Sequence, residues 1–303
     1  MKTDTLKKSL LDYAIKGKLT AKFRRENSEL NAFDELEIYN DKIKQKRKNL
    51  EKELKTLESK LKKAPTRHCE TSAESISVIA RERSDRSNPQ TKQELKSQIQ
   101  ILKKELTKCK EITPLNLSEA PFEIPNSWAW VKLGDICEMK KGPFGSAITK
   151  DMFIPNGSNA VKIYEQKNAI QKSETLGEYY ISLEHFEKLK QFEVFENDII
   201  VSCAGTIGEI FRIPKNAPKG IINQALMKIK LVNEEWIPYF MIFFDFLIKQ
   251  KSQENSKGSA IKNIPPLDIL KNFTIPLPPL QEQEHITQIL DTLFTLKKGL
   301  RVD

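Results

Sequence analysis

Two series of apolar residues at heptad spacing constrain the fold of this chain more than any other feature. Apolar residues at alternating spacings of three and four lie on one face of a helix that packs against another helix. The first series lies in a segment of about 33–63 and the second in about 95–109. We predict two long helices, forming either an antiparallel hairpin or arms that pair with another chain. The expected partner-helix contacts are Leu50, Leu54, Leu57, Leu61, Leu95, Leu102 and Leu106.

The segment between the two series, residues 64–90, has a different composition. It is rich in Ser and Arg, contains Pro65 and Pro89, and has few large apolar residues. Such a segment cannot bury enough apolar surface to fold by itself, so we predict a flexible insertion. Near the N-terminus, apolar residues at helical spacing predict a short amphipathic helix over 6–19, which Gly17 can end.

Charge and glycine divide the chain at about residue 120. Residues 1–120 hold 28 Lys and Arg against 19 Asp and Glu, which accounts for the whole net charge of +9. Only Gly17 precedes residue 120, and the other ten of 11 glycines follow it. A basic helical arm suits a polyanion such as DNA, although a solvated helical surface would also explain the charge.

The rest of the chain alternates strand-like runs with short helical segments. Strands are predicted at 130–139, 160–164, 198–204, 208–213 and 225–232, and helices at 182–191, 234–250, 266–270 and after Pro279. This irregular order favours an α+β fold rather than a regular βαβ alternation. We expect a basic helical arm at 1–116, one mixed α/β domain at 117–275 and a C-terminal helix at 276–303.

Membrane and secretory classes are not indicated. No apolar run approaches 18 residues, and the N-terminus lacks the apolar segment of a signal peptide. The four cysteines are far apart and form no C-x-x-C pair, which is typical of a reducing cytoplasm.

The sequence carries little that indicates catalysis. It has no P-loop, no G-x-G-x-x-G, no H-E-x-x-H and no G-x-S-x-G, and its three histidines are isolated. Asp151 followed by Glu165 and Lys167 has the spacing by which many nucleases hold Mg²⁺. Chance matches to so short a pattern are common in a chain that is 30% charged, so surface charges are the favoured interpretation. We predict no catalytic residues and no metal site.

Three polar stretches that contain glycine are the best candidates for a binding surface: 140–150, 198–208 and 256–264. Lysines and backbone N–H groups beside glycines can hold phosphate oxygens, whereas Asn, Gln and Lys can recognise base edges. Turn chemistry alone would also account for these residue types. The candidate DNA contacts are Lys140, Lys141, Gly142, Ser146, Lys150, Ser202, Gly205, Thr206, Asn223, Gln224, Ser259, Lys262 and Asn263.

Four motifs after residue 120 occur in an order that is similar to the order of motifs in a known family. They are Ile124-Pro125-x-x-Trp128-x-Trp130-x-x-Leu133-Gly134-Asp135-Ile136, Asp198-Ile199-Ile200-Val201-Ser202-x-x-Gly205-Thr206-Ile207-Gly208, Asn223-Gln224, and Pro276-Leu277-Pro278-Pro279-Leu280-x-Glu282-Gln283-x-x-Ile286. Together they resemble the specificity subunits of type I restriction–modification enzymes. The segment 6–19 is similar to the end of that family's spacer helix.

The resemblance implies a DNA-binding subunit that has no catalysis of its own. Members carry two target recognition domains held apart by helices, and each domain recognises one half of a bipartite DNA site. Methyltransferase subunits would dock on the helices and methylate adenine with S-adenosylmethionine. Endonuclease subunits would translocate and cut unmodified DNA with ATP and Mg²⁺. All of these cofactors are expected on the partner subunits.

This chain departs from that pattern because it contains one recognition domain instead of two. It resembles the second half of a full subunit or a half-length form, and two copies related by a two-fold axis would recognise an inverted, interrupted site. Two other interpretations remain open at this point. The chain could be the recognition fragment of a fused restriction–methylation enzyme, or a coiled-coil adaptor that does not recognise DNA.

Overall fold

The computed structural model describes residues 2–63, 92–254 and 264–299. Contacts within the chain group it into two units, one of Met1–Glu35 with Ile112–Asp303 and one of Leu36–Glu111. The first unit includes the N-terminal 35 residues, which the sequence had suggested would belong to the helical arm. The reason is the burial of Leu11, Ala14 and Ile15. They lie in a helix at 2–15 that contacts the helices at 237–254 and 280–299.

The described residues form ten α-helices. Their bounds are α1 (Lys2–Ile15), α2 (Ala21–Glu26), α3 (Ala32–Lys63), α4 (Lys92–Lys108), α5 (Leu133–Ile136), α6 (Gln166–Ile170), α7 (Leu183–Leu189), α8 (Ile237–Glu254), α9 (Leu267–Lys271) and α10 (Leu280–Gly299). The helices predicted from apolar periodicity are confirmed. None of the described helices combines the length and apolarity that crossing a membrane requires.

Eleven strands in the described residues form three sheets. The strands are β1 (Ala129–Lys132), β2 (Cys137–Lys141), β3 (Phe153–Ile154), β4 (Ala160–Tyr164), β5 (Tyr180–Ser182), β6 (Glu193–Val194), β7 (Ile199–Ser202), β8 (Ile210–Arg212), β9 (Gly220–Ile222), β10 (Leu226–Leu231) and β11 (Thr274–Leu277). The sheet orders are β1-β11, β2-β10-β7-β8 and β3-β5-β4-β9-β6. The mixture of helices with mainly antiparallel sheets confirms the α+β class.

One long strand predicted at 130–139 is divided in the structure. The turn of helix α5 separates β1 from β2, and its Leu133 and Ile136 are buried. A Cβ on Gly134 would overlap Lys271 of α9, so α5 lies close against that helix. The apolar run therefore turns into the interior instead of continuing as an extended strand.

The body has apolar side chains buried on both of its larger sheets. In the five-stranded sheet the central β4, β5 and β9 bury Val161, Ile181 and Ile221 in one cluster with Phe186 of α7. Helix α8 adds a row of buried aromatic residues, and Tyr239 in it donates a hydrogen bond to the carbonyl of Pro276 in β11 (2.7 Å). The cluster of the five-stranded sheet also contains Ile200 of β7 and Leu226 of β10, two of the strands whose ends carry the polar loops.

The Leu36–Glu111 unit is an antiparallel helical hairpin. Glu58 in α3 pairs with Lys103 in α4 (3.2 Å), and Lys44 pairs with Glu111 beyond the end of α4 (3.8 Å). The later residue of α3 thus pairs with the earlier residue of the second segment, so the two helices run antiparallel. Leu95 and Ile99 are 4% and 7% exposed. The other predicted contacts are half-buried: Leu50, Leu54, Leu57, Leu61, Leu102 and Leu106.

Candidate nucleic-acid interface

One end of the four-stranded sheet gathers the polar loops that the sequence singled out. Lys141 lies opposite Met227 and Ser202 lies opposite Leu226, so β2 and β7 end where β10 begins. The N–H of Gly142 donates to the carbonyl of Leu226 (2.9 Å), and that of Cys203 donates to the carbonyl of Ala225 (2.9 Å). We call the segments that meet here, 141–150, 202–208 and 223–225, the loop edge.

Gly142 permits the close approach of two of these segments. A Cβ at this position would overlap the carbonyl oxygen of Asn223 and lie 3.1 Å from the Cα of Gln224. Any other residue would place its Cβ where the neighbouring backbone lies, so only glycine fits at this position. The sequence predicted Gly142 as a DNA contact. In the structure its N–H is bonded to Leu226, and the glycine has this packing role.

The turn at 223–225 is held by its own side chain and by the second sheet. The side-chain oxygen of Asn223 accepts from the N–H of Ala225 (3.0 Å), and the N–H of Asn223 donates to the carbonyl of Tyr164 (3.0 Å). Asn223 is half-buried, whereas Gln224 is exposed. The arrangement presents Gln224 to solvent at a fixed position.

The turn between β7 and β8 has Ser202 as an internal support. Ser202 is fully buried, and its hydroxyl donates to the carbonyl of Thr206 (2.5 Å) and accepts from the N–H of Glu209 (3.0 Å). Gly205 has φ +65° and is exposed together with Thr206. Ser202 therefore holds the turn, while Gly205 and Thr206 form its surface.

The segment after β2 forms the most exposed part of the loop edge. Phe144, Gly145, Ser146 and Lys150 are exposed, whereas Pro143 and Ile148 are buried. Lys141 is half-buried and lies close enough to Cys203 to favour its thiolate, although burial dominates and raises the pKa of that thiol to about 11. Cys203 is thus a protonated thiol near neutral pH.

Lys140 is directed elsewhere. Its ammonium group donates to the side-chain oxygen of Gln191 (2.8 Å) and lies 5.0 Å from the centre of the Phe192 ring. Because successive residues of a strand point to opposite faces, Lys140 and Lys141 are on different sides of the sheet. The two lysines, predicted as one group, are separated by the fold.

The third polar stretch lies largely outside the described residues, and so do Ser259, Lys262 and Asn263. The chain resumes at Ile264, whose N–H donates to the carbonyl of Cys203 (3.0 Å). The segment 255–263 is therefore followed by a residue bound to the loop edge. The predicted insertion 64–90 also lies outside the described residues.

Helix α6 supports the loop edge, which the sequence analysis did not anticipate. The amide of Gln166 donates to the carbonyl of Ala204, and buried Asn168 donates to the carbonyls of Ser173 (2.9 Å) and Leu176 (2.7 Å). Glu165 and Asn168 form a capping box at the start of this helix. Glu165 at the N-cap and Asn168 three residues later are not the Ser/Thr and Glu/Gln of the usual capping box, so the sequence carries no clear signal for this helix N-terminus.

The residues of the nuclease-like spacing have structural roles. Glu165 caps α6 and pairs with Lys167 (3.2 Å). The Thr149 side chain hydrogen-bonds to the Asp151 carboxyl, which lowers the pKa of that exposed group. Over the described ranges, no group of three or more His, Cys, Asp or Glu side chains is arranged to hold a metal ion.

The fold defines an α+β recognition module with clustered polar loops, and the comparisons with known proteins give its family. Residues 125–302, more than half of the chain, match the model of the type I restriction modification DNA specificity domain. The chain belongs to this family of type I restriction–modification specificity subunits. This is a family of DNA-specificity domains and not of catalytic ones, as the resemblance implied.

Curated relatives show the same relationship over part of their length. The specificity subunit of the type I restriction enzyme MjaVIII from Methanocaldococcus jannaschii is 28% identical over 198 residues, covering 60% of this chain and 40% of the relative. The EcoEI specificity subunit from Escherichia coli is 22% identical over 217 residues, covering 67% of this chain and 35% of the relative. The chain thus spans about two-fifths of the length of these relatives.

A solved structure of the HsdS subunit from Thermoanaerobacter tengcongensis aligns with a TM-score of 0.45 at 18% identity. The alignment covers 60% of this chain and 41% of that one.

Proposed function

We propose that this chain recognises one half of a bipartite DNA site and directs adenine methylation and DNA cleavage by partner subunits. The observation that carries the proposal is the loop edge, where Lys141, Gln224 and Thr206 come from three separate segments at one end of a sheet. Cationic and amide side chains on fixed turns suit contacts to phosphates and to base edges. The catalytic chemistry would belong to other chains.

The proposed partners are double-stranded DNA, methyltransferase subunits and endonuclease subunits. S-adenosylmethionine, ATP and Mg²⁺ would act on those subunits, and the assembly would work in the cytoplasm. The half-buried leucines of the hairpin support a helical docking surface, since Leu50, Leu54 and Leu57 keep part of their apolar surface exposed.

Methylome sequencing tests this function directly. Deleting the gene in its host is expected to abolish one bipartite N6-methyladenine motif, because the partner methyltransferase would lose its only source of sequence recognition. Deleting the methyltransferase gene is the matched control and is expected to remove the same motif. An unchanged set of methylated motifs after deletion of this gene would contradict the proposal.

We also propose that the working form contains two copies of the chain. The one loop edge in the described residues supports a symmetric pair, with each copy on one half of an inverted, interrupted site. Light scattering after size exclusion, on the chain alone and with its methyltransferase subunit, is expected to give a mass containing two copies. A strict monomer under both conditions would exclude the pair.

Lysines at the loop edge are expected to control the salt dependence of DNA binding. Lys141→Ala and Lys150→Ala should each weaken binding to all duplexes and lower the slope of log affinity against log salt by about 0.9. The control is Lys188→Ala, because Lys188 is exposed on α7, outside the three segments of the loop edge, and is paired with Glu184 (2.7 Å). Unchanged slopes for both edge variants would place the phosphate contacts on another face.

A further inference from the structure

Phe144 is the most exposed large apolar side chain in the part of the chain that the structure describes. It is 89% exposed, and the next highest, Ile101 in α4, is 60% exposed. Scattered apolar residues on a surface are common, so exposure alone does not indicate a partner. What distinguishes Phe144 is the way its loop is held and the chemistry around it.

The loop holds Phe144 outward from two anchored ends. Before it, the N–H of Gly142 is bonded to the β10 backbone and Pro143 is buried. After it, the N–H of Ala147 donates to the carbonyl of Phe144 (2.8 Å) and Ile148 is buried. A short hydrogen-bonded turn between buried anchors keeps the ring from folding back onto the protein.

The surroundings of Phe144 suit a nucleic acid better than an apolar protein surface. Exposed Ser146 and Lys150 follow it on the same loop, and Lys141 precedes it at the end of β2. These groups offer hydrogen bonds and positive charge to phosphates on either side of an apolar tip. Proteins that bend DNA use this combination, with an apolar wedge between base steps and cationic groups beside it.

We propose that Phe144 inserts between adjacent base pairs of the bound duplex and bends it. This inference rests on the proposed DNA-recognition function and adds a second source of specificity to that site. The cost of unstacking depends on the base step, so the wedge selects deformable steps without hydrogen-bonding to a base.

The test compares Phe144→Ala and Phe144→Trp with the unmodified chain, each assembled with the methyltransferase subunit. The probe is a duplex that carries the motif found by methylome sequencing, with a donor and an acceptor dye at its two ends. Affinity and energy transfer between the ends are measured together. Phe195→Ala is the matched control, since Phe195 is 52% exposed and lies beside Asp198 at the opposite end of β7.

Phe144→Ala is expected to bind the duplex about 10-fold more weakly, because an aromatic ring stacked on a base contributes that order of affinity. It should also lose the energy-transfer change, which corresponds to a bend of roughly 20–90° in wedge-type complexes. Phe144→Trp should keep both properties, and Phe195→Ala should match the unmodified chain. Both Phe144 variants should melt at the same temperature as the unmodified chain, because this exposed ring has few contacts to lose.

Three results would overturn the wedge. Equal affinity and equal energy transfer for Phe144→Ala would show that the ring contributes neither to DNA binding nor to bending. Weaker binding with unchanged energy transfer would show a surface contact without insertion. If the unmodified assembly does not bind the motif duplex, the proposed function itself fails, and the wedge fails with it.

Discussion

Glu282→Ala is expected to lower the free energy of unfolding by about 3–5 kcal/mol, the usual cost of removing one partner from a buried charged network. Glu282 is 1% exposed near the start of α10. Its carboxylate accepts hydrogen bonds from the Thr20 hydroxyl (2.5 Å), from the Arg24 guanidinium and from the Trp128 indole (2.7 Å). Alanine would leave the largely buried Arg24 cation without its counter-charge and the buried Trp128 N–H group without an acceptor.

Urea denaturation of the purified chain measures this effect. Glu284→Ala is the matched control, because Glu284 is exposed on the same helix and should change stability by less than about 0.5 kcal/mol. Glu282→Gln should be intermediate, since it keeps an acceptor of the same shape but loses the charge. Equal stability of the two alanine variants would show that the network does not hold the N-terminal segments to α10.

Gly142→Val is expected to disrupt the loop edge and to reduce methylation of the target motif in cells at least 10-fold. The new side chain would overlap the Asn223 carbonyl, which belongs to backbone that is also bonded to Tyr164 in β4. Backbone cannot move aside as a flexible side chain can, so the two segments must separate. Forcing extra atoms into such a contact costs about 1–3 kcal/mol.

The comparison for this variant is Gly145→Ala on the same loop. A Cβ on Gly145 meets no atom within 4 Å, so its stability and methylation should be close to those of the unmodified chain. Denaturation and methylome sequencing of both variants separate loss of the site from loss of the fold. Normal methylation by the Gly142 variant would mean that the loop edge does not need this close approach.

Local periodicity predicted the long helices well. A seven-residue repeat of apolar residues matches the period of an α-helix and can be read along the sequence without knowledge of distant contacts. The helices at 32–63 and 92–108 could therefore be predicted from the order of residues alone. The sequence did not decide whether the two helices pair with each other or with another chain. The structure decides this, because Glu58 of one helix forms an ion pair with Lys103 of the other.

Strands were predicted less completely for a physical reason. Strands of five or six residues, such as β4 and β10, gave a signal, whereas two- and three-residue strands such as β3 and β9 did not. Short strands are stabilised by their neighbours in the sheet, and pairing partners are distant in sequence. The division of the run at 130–139 depended in the same way on α9.

The candidate DNA contacts were chosen by residue type, and the fold sorted them. Ser202 supports its turn from inside, and Lys140 is bonded to Gln191 on another face. Gln224, Thr206, Ser146 and Lys150 are exposed. Phe144 was within the chosen stretch but was not selected. An unpaired aromatic residue between Pro143 and Gly145 in a polar loop was the available signal.

By itself, the sequence determined the two long helices, the α+β class and the family, because each depends on local periodicity or on a linear order of motifs. The tertiary structure alone decided that Gly142 and Asn223, 81 positions apart in the sequence, meet at one edge with their turns in contact. It also decided that Glu35 would accept the first N–H of α10, from Leu280, at 3.0 Å. The residues in such long-range contacts cannot be paired from the sequence. A backbone N–H group or a buried carboxylate can bond to many kinds of group, and the fold decides which one lies beside it.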